Sequence, residues 1–334
     1  MFRAKLYRNI GDTVICLLCW NMCKIKEGRK GKCKVRLNVK GELYTTTYGN
    51  LSAVDSRPIE LKPFFHFKPG SSSLTFSTYS CNLNCPWCQN WHLSKVEPPR
   101  NYKLVPPEYL VNLAKARGDL SLCASFNEPT LLFEYLLDCF RIAKNSGLLN
   151  TMVSNGYMTP KALKELRNSG LDAINMDIKG TNKVYQDYCA PPSGKSDYVW
   201  RSAKTAVKLG IHLEMVNLLV TGVNDDEESI REVINKHLKF VGPQIPLHFT
   251  RYYPAYKFTN SPTKISVIER AIEIALKEGV EYVYIGNVPG HRREYTYCPE
   301  CGEVLVKRYS TEILKNEIKN GRCWKCGREI YGVW

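Results

Sequence analysis

Ser80-Cys81-Asn82-Leu83-Asn84-Cys85-Pro86-Trp87-Cys88-Gln89-Asn90 is the stretch from which the rest of the chain can be read. It follows an apolar, β-rich run, Leu74–Tyr79, which sets it in the loop at that strand's C-terminal end. Cys81, Cys85 and Cys88 are spaced by four and three residues, close enough for three thiolates to converge from one loop. A four-iron cluster ordinarily takes four thiolates. With three, one iron keeps open sites, and open coordination is where metal chemistry happens. Two plainer alternatives share the spacing: a zinc loop with a distant fourth ligand, and a purely structural cluster. The preceding strand, Trp87 ahead of the third cysteine and the pattern that follows all favour the open cluster.

Outward from this loop, residues 71–290 alternate short apolar strands with amphipathic helices. The strands expected are Leu74–Tyr79, Leu120–Phe126, Leu149–Val153, Leu171–Ile178, His212–Val220, Leu247–Tyr252 and Glu281–Ile285. Helical patterns fall at Pro107–Arg117, Thr130–Asn145, Pro160–Asn168, Tyr198–Leu209, Asp226–Leu238 and Lys264–Lys277, with Gly147, Gly170, Gly210 and Gly279 as stop signals. Regular strand–helix repetition predicts an α/β fold with a parallel sheet and right-handed crossovers. We therefore expect a partial or full (β/α) barrel over residues 67–290, with chemistry at the C-terminal strand ends.

Two cysteine-rich segments flank it. In residues 291–334, Cys298, Cys301, Cys323 and Cys326 form two Cys-x2-Cys-Gly knuckles, the pattern of a four-thiolate zinc ribbon. Rubredoxin-like iron is the alternative there. In residues 1–66, Cys16, Cys19, Cys23 and Cys33 fall within 18 residues and imply one metal centre, either Zn2+ or an auxiliary iron–sulfur cluster. Little helical periodicity accompanies them, so a small, irregular, metal-stapled module is expected. The first 70 residues also carry 14 Lys/Arg against 5 Asp/Glu, concentrated at Lys24, Lys26, Arg29, Lys30, Lys32, Lys34, Arg36 and Lys40. Such a patch suits an acidic electron donor or a phosphate-rich substrate, and is equally a solvated basic surface.

The whole chain is 334 residues, 44% hydrophobic and 24% charged, the make-up of an ordinary globular protein. No apolar run approaches the roughly 18 residues of a membrane span, and MFRAKLYRNIGD lacks a signal-peptide core. A cytoplasmic protein without a membrane partner is expected, and in a reducing compartment its cysteines read as metal ligands rather than disulfides.

The motif Cys81-x3-Cys85-x-Trp87-Cys88 resembles that of the radical S-adenosylmethionine (SAM) superfamily. Phe126-Asn127-Glu128-Pro129-Thr130, Ser154-Asn155-Gly156-Tyr157 and Met176-Asp177-Ile178-Lys179 follow in the order seen in proteins like pyruvate formate-lyase activating enzyme. With the two flanking cysteine sets, the chain is similar to the AmmeMemoRadiSam system radical SAM enzymes. That resemblance implies a [4Fe-4S] cluster on Cys81, Cys85 and Cys88, SAM chelated to its open iron, and reductive cleavage to a 5′-deoxyadenosyl radical. The radical would then abstract hydrogen from an unidentified macromolecular or small-molecule substrate.

Carried over residue by residue, the resemblance implies cofactor-binding positions at Trp87, Asn127, Glu128, Ser154, Asn155, Asp177, Lys179, His248 and Arg251. Phe126 and Asn127 stand where the family has two glycines. Glu128 before Pro129 is also a reasonable helix cap, and Ser154-Asn155-Gly156 a plain turn. Asp177 and Lys179, two apart at a strand end, face the same way. They suit the zwitterionic end of SAM, or form a simple salt bridge. Cys189, a candidate hydrogen donor, is otherwise an ordinary thiol, as are Cys123 and Cys139. The chemistry implies a low-potential electron donor such as ferredoxin. The competing class is a non-catalytic metal protein that binds nucleic acid through the basic module and zinc ribbon.

Overall fold

The computed structural model describes all 334 residues. Residues 1–45 are more regular than their composition implied. They hold six short strands, β1 (Phe2–Arg3), β2 (Tyr7–Ile10), β3 (Thr13–Cys16), β4 (Lys24–Lys26), β5 (Arg36–Val39) and β6 (Glu42–Thr45). These make two three-stranded antiparallel sheets, in the orders β1-β6-β5 and β2-β3-β4. Burial alternates along β3, β5 and β6, the period-2 signature of a strand with one covered face. Lys40 and Gly41, both at positive φ, close the β5–β6 hairpin in the primed turn geometry that matches strand twist. A Cβ on Gly41 would meet the Asn9 amide at 2.5 Å and displace it from its bond to Gly41 O, while the positive φ favours glycine.

β7 (Ala53–Pro58) leaves this module and pairs antiparallel with β8 (Ser72–Ser77), the strand that carries the cysteine loop. From β8 onward all neighbours are parallel: β9 (Ser121–Ala124), β10 (Leu149–Ser154), β11 (Ala173–Asp177), β12 (His212–Leu219), β13 (Leu247–Arg251) and β14 (Val283–Gly286). Each of the seven expected parallel strands is present. The eight strands run in the order β14 to β7 with free edges at both ends, so the sheet is open and not a closed barrel.

The connecting helices are the short α1 (Trp91–Ser94), then α2 (Pro107–Arg117), α3 (Phe133–Asn145), α4 (Pro160–Asn168), the single turn α5 (Asn182–Val184), α6 (Ser196–Lys208), α7 (Glu227–Phe240) and α8 (Ile265–Lys277). The expected helix at Thr130–Asn145 is divided. Pro129–Leu132 form a 3-10 turn, because the Glu128 carboxylate captures the Thr130 amide, and the α-helix begins at Phe133. No helix is long and apolar enough to cross a membrane.

Side-chain alternation sorts the sheet into two unlike faces. Leu74, Phe76, Leu122, Met152, Ile174, Met176, Leu213, Met215, Leu247 and Phe249 join the helices in the main apolar core. Ser73, Thr75, Ser121, Thr151, Asn175, Glu214 and His248 are buried on the other face. Parallel sheets are usually apolar on both sides. Here residues 63–66 cover the polar face and supply its partners. Asn175 Nδ2 donates to Pro63 O (2.9 Å), and the Phe65 and His66 amides donate to Glu214 (3.0 and 2.8 Å).

The chain ends with β15 (Thr296–Tyr297), β16 (Val304–Tyr309) and β17 (Glu312–Asn316) in one antiparallel sheet, and β18 (Ile318–Lys319) paired with β19 (Arg322–Cys323). Buried Arg308 ties this unit to the barrel, donating to Phe65 O (2.7 Å) and lying over the Phe65 ring. The Leu213 amide donates to Tyr331 Oη (3.0 Å), so the C-terminal unit sits at the N-terminal ends of the parallel strands. The N-terminal module occupies the opposite end: the Trp20 amide bonds to Tyr157 O and the Thr159 amide to Leu18 O, both just beyond β10.

Candidate active site

The cysteine loop leaves β8 through Ser80 at positive φ and is braced by asparagines. Asn127 Oδ1 accepts from the Thr78 amide (3.2 Å), and its Nδ2 donates to Ser80 O (2.8 Å). Asn90 Nδ2 donates to the carbonyl of Phe126 (2.6 Å), which itself holds a left-handed conformation where a glycine would be unstrained. Asn155 Nδ2 reaches both Asn82 Oδ1 (2.7 Å) and Cys81 Sγ (3.7 Å), and the Leu83 amide points at the same sulfur (3.4 Å). Cys81, Cys85 and Cys88 thus project from one fixed loop, with Cys85 buried and the others half-buried. Three thiolates on one loop are the donor set of a four-iron cluster with one iron left open.

Charge around the loop acts unevenly: burial, then Glu128, pushes Cys81 up to about 12, whereas Cys85 is lowered. Cys189 Sγ lies 3.4 Å from Cys85 Sγ. That contact, then Lys179 and Lys95, lowers Cys85 below its ordinary value against the opposing effect of burial. Burial keeps Cys189 itself protonated, so its S–H is the donor once Cys85 ionises. This neighbour, 104 residues away in the chain, left no trace in the cysteine spacing.

At the ends of β9 and β10, Glu128 takes three donors on Oε1 and one on Oε2. Its carboxylate accepts from the Thr130 amide (3.0 Å), the Thr130 hydroxyl, Ser154 Oγ (2.8 Å) and the Asn155 amide (2.8 Å). Burial raises its pKa despite these donors. The carboxylate is therefore a cap and a clamp between strand ends rather than a free group facing a ligand, and Ser154 is occupied with it. Asp177 and Lys179 do come together as the spacing required. Lys179 Nζ lies 3.0 Å from Asp177 Oδ2, with the side chains 16% and 29% exposed, so a ligand can still reach both charges. Burial opposes the Lys179 charge, but Asp177 and Cys85 outweigh it and raise the pKa.

Trp87 is buried and packs on Tyr188 and Phe258, walling the loop. Two of the expected contact residues already have partners within the chain. His248 Nε2 donates to the Glu214 carboxylate (2.8 Å), packs against Phe65 and Tyr284, and is 1% exposed. Arg251 turns away from the sheet's polar face, its Nε bonded to Thr263 O (2.8 Å) and its guanidinium over Tyr253.

The flanking cysteine sets differ in geometry. The ligand atoms of Cys298, Cys301, Cys323 and Cys326 all lie within 4.8 Å of one another. Cys298–Cys326 and Cys301–Cys323 sulfurs are 3.5 and 3.7 Å apart. A tetrahedron with bonds of about 2.3 Å places its sulfurs about 3.8 Å apart. The four thiols form a metal-binding cluster consistent with a zinc site. Cys16, Cys19, Cys23 and Cys33 line one shared cavity but do not converge in this way.

A family model described as the Radical SAM superfamily matches residues 75–235, from β8 into α7. An uncharacterized protein of Methanocaldococcus jannaschii is 38% identical over 335 residues, 99% of either chain. A probable GTP 3′,8-cyclase of Methanosarcina acetivorans is 24% identical over 258 residues, 75% of this chain and 71% of its own. Among solved structures, Streptococcus suis SuiB bound to S-adenosylmethionine superposes with a TM-score of 0.50 at 15% identity, covering 72% of this chain and 56% of that one. A radical SAM methyltransferase from Sphaerobacter thermophilus gives a TM-score of 0.50 at 14% identity, over 66% of this chain and 67% of its own. These last two are likenesses of fold.

Proposed function

We propose a reaction from one premise: this chain belongs to the radical SAM superfamily and is an enzyme of that class. It reductively cleaves SAM at a [4Fe-4S] cluster held by Cys81, Cys85 and Cys88, and uses the resulting radical to take hydrogen from a carbon of its substrate. The order of motifs and the two flanking cysteine sets support the narrower reading of an AmmeMemoRadiSam-type enzyme. The observation that carries the proposal is the three-cysteine loop beside the Asp177–Lys179 ion pair, whose lysine charge is felt at Cys85.

The cluster, when bound, supplies the electron that splits the sulfonium and leaves the 5′-deoxyadenosyl radical. This chain's residues do the rest. Asp177 and Lys179 offer opposite charges to the amino and carboxylate groups of SAM. The Glu128 clamp fixes Ser154 and Asn155, and Asn155 in turn aims an amide at Cys81. Trp87, Tyr188 and Phe258 exclude water from the outer side of the loop. A low-potential donor such as ferredoxin supplies the electron, and Zn2+ on Cys298, Cys301, Cys323 and Cys326 holds the C-terminal unit as a zinc ribbon.

Anaerobic reconstitution with iron and sulfide, then addition of dithionite and SAM, tests this. Release of 5′-deoxyadenosine that vanishes in Cys85→Ala is the expected result. Full iron loading with no nucleoside released would refute it.

A further inference from the structure

The N-terminal cysteines have an environment unlike that of the C-terminal four. Cys16 closes β3, Cys19 and Cys23 lie between β3 and β4, and Cys33 precedes β5. All four line one cavity with Arg36 and Asn82. Arg36 and Asn82 are 1% and 6% exposed, and Arg36 Nε and Asn82 Nδ2 have no hydrogen-bond partner. Native interiors rarely leave buried donors unmatched, so two beside one cavity mark an acceptor that belongs in it.

The nature of that acceptor follows from spacing and charge. A zinc tetrathiolate draws its sulfurs to about 3.8 Å, as the C-terminal set shows. It also brings no acceptor besides those four sulfurs. The N-terminal sulfurs instead line a cavity together with Arg36 and Asn82. A polynuclear iron–sulfur cluster spans more, and its inorganic sulfides accept hydrogen bonds that tune its potential. Both kinds of centre are anionic and suit a guanidinium whose terminal nitrogens already face Glu134, but only the cluster brings sulfides for the leftover Nε.

Position gives the site a role. Asn82 follows Cys81 directly and lines the N-terminal cavity, so one residue separates the two sites. Ser80 Oγ donates to Cys33 O (2.7 Å), and Asn21 Nδ2 to Asn82 O (2.8 Å), locking the walls together. On the outside, Lys24, Lys26, Arg29 and Lys32 are exposed, whereas Lys30 and Lys34 are engaged by Glu97.

We infer that Cys16, Cys19, Cys23 and Cys33 hold a second iron–sulfur cluster, with Arg36 Nε and Asn82 Nδ2 donating to its sulfides, which relays electrons to the Cys81 cluster. An acidic low-potential redox protein gives up one electron and is oxidised. The N-terminal cluster takes that electron, then passes it to the Cys81 cluster and returns to its starting state. The relay rests on the function proposed above; the existence of the second cluster does not.

The test uses the full chain with Cys81→Ala, Cys85→Ala and Cys88→Ala combined, which leaves the N-terminal cysteines untouched. After anaerobic reconstitution this variant is expected to keep roughly half the iron and acid-labile sulfide of the wild type and to give a reduced-cluster electron paramagnetic resonance signal. An iron-free variant carrying a further equivalent of zinc would overturn the cluster. So would one with no metal beyond the C-terminal zinc. If the wild type releases no 5′-deoxyadenosine while the variant keeps its iron, the function fails and the second cluster stands. For the relay, Cys19→Ser with Cys33→Ser should cleave SAM normally with dithionite but only at background rate with reduced ferredoxin. Equal rates with both donors would refute the relay.

Discussion

The two four-cysteine sets have the same ligand count and sit at opposite ends of one barrel. The C-terminal sulfurs are already at single-ion distances and lie on short hairpins beneath the N-terminal ends of the strands. The N-terminal sulfurs stand apart around a cavity with unmatched donors, against the loop that carries Cys81. Cysteine counting cannot separate a staple from a redox centre. Sulfur spacing, leftover hydrogen-bond donors and the end of the barrel at which the set lies can do so.

The largest effect should come from the C-terminal set. Structural zinc binding of this kind contributes on the order of 10 kcal/mol to the fold that depends on it. Cys298→Ala with Cys323→Ala should therefore abolish zinc binding and unfold the C-terminal unit, seen as loss of protection in hydrogen exchange over residues 296–323. Below the new melting temperature, SAM cleavage per folded molecule should persist, because that unit lies far from Cys81. Loss of cleavage in a still-folded barrel would break the assignment of the two ends.

Next come the two buried arginines, one at each end. Arg36 pairs bidentately with Glu134 at 2.7 and 2.8 Å, both side chains 1% exposed. Arg308 has no carboxylate and bonds instead to Phe65 O, Glu294 O and Thr296 Oγ1. Arg36→Met strands a buried carboxylate and should cost about 3–5 kcal/mol in denaturant unfolding. Arg308→Met removes the charge together with its need for partners, and should cost about 1.5–3 kcal/mol. The reverse order would contradict the reading of the N-terminal module as welded to α3.

Acid should weaken the fold, partly at the C-terminal end. His66, bonded to Tyr331 O and Tyr284 Oη, is lowered to about 3 by burial, and burial lowers His237 to about 4. The unfolded chain takes up these protons near the usual histidine value of about 6.5 while the folded chain does not. Stability is then full above that pH and falls below it, by about 1.4 kcal/mol per pH unit for each histidine, until the folded-state values are reached. Glu214, held well below the carboxylate range by His212 and His248 despite its burial, adds to the loss at lower pH. Melting temperature measured from pH 7.5 to 4.5 should drop steadily, and His66→Gln should flatten the slope.

The smallest effect concerns Cys189. Its S–H stabilises charge on Cys85, so Cys189→Ala should make the Cys81 cluster harder to reduce. The expected shift is negative by roughly 40 mV, the one-electron equivalent of about 1 kcal/mol. Potentiometric titration with cysteines 16, 19, 23 and 33 left intact would follow both clusters at once. Only the Cys81 cluster should move.

The parallel strands and the helices between them were legible because each follows from local periodicity and stop signals. The cysteine loop was legible because its three cysteines lie close together between residues 81 and 88. What escaped was long-range. Nothing near Cys85 announces Cys189, and nothing near Arg36 announces Glu134, 98 residues on. Glu128 read as either a SAM contact or a cap. Its carboxylate does cap Thr130 and also accepts from Ser154 and Asn155, partners the local sequence could not name. His248 at a strand end looked available, but Glu214, two strand residues after His212, bonds to both. The hairpins of residues 1–45 were hidden by strands of two to four residues, too short for a pattern to register.

One measurement bears on the central claim most directly: Mössbauer spectroscopy of the Cys81 cluster, loaded with enriched iron in a chain lacking the N-terminal cysteines, with and without SAM. Three irons should look alike and the fourth should change on adding SAM. Four equivalent irons, indifferent to SAM, would contradict the account.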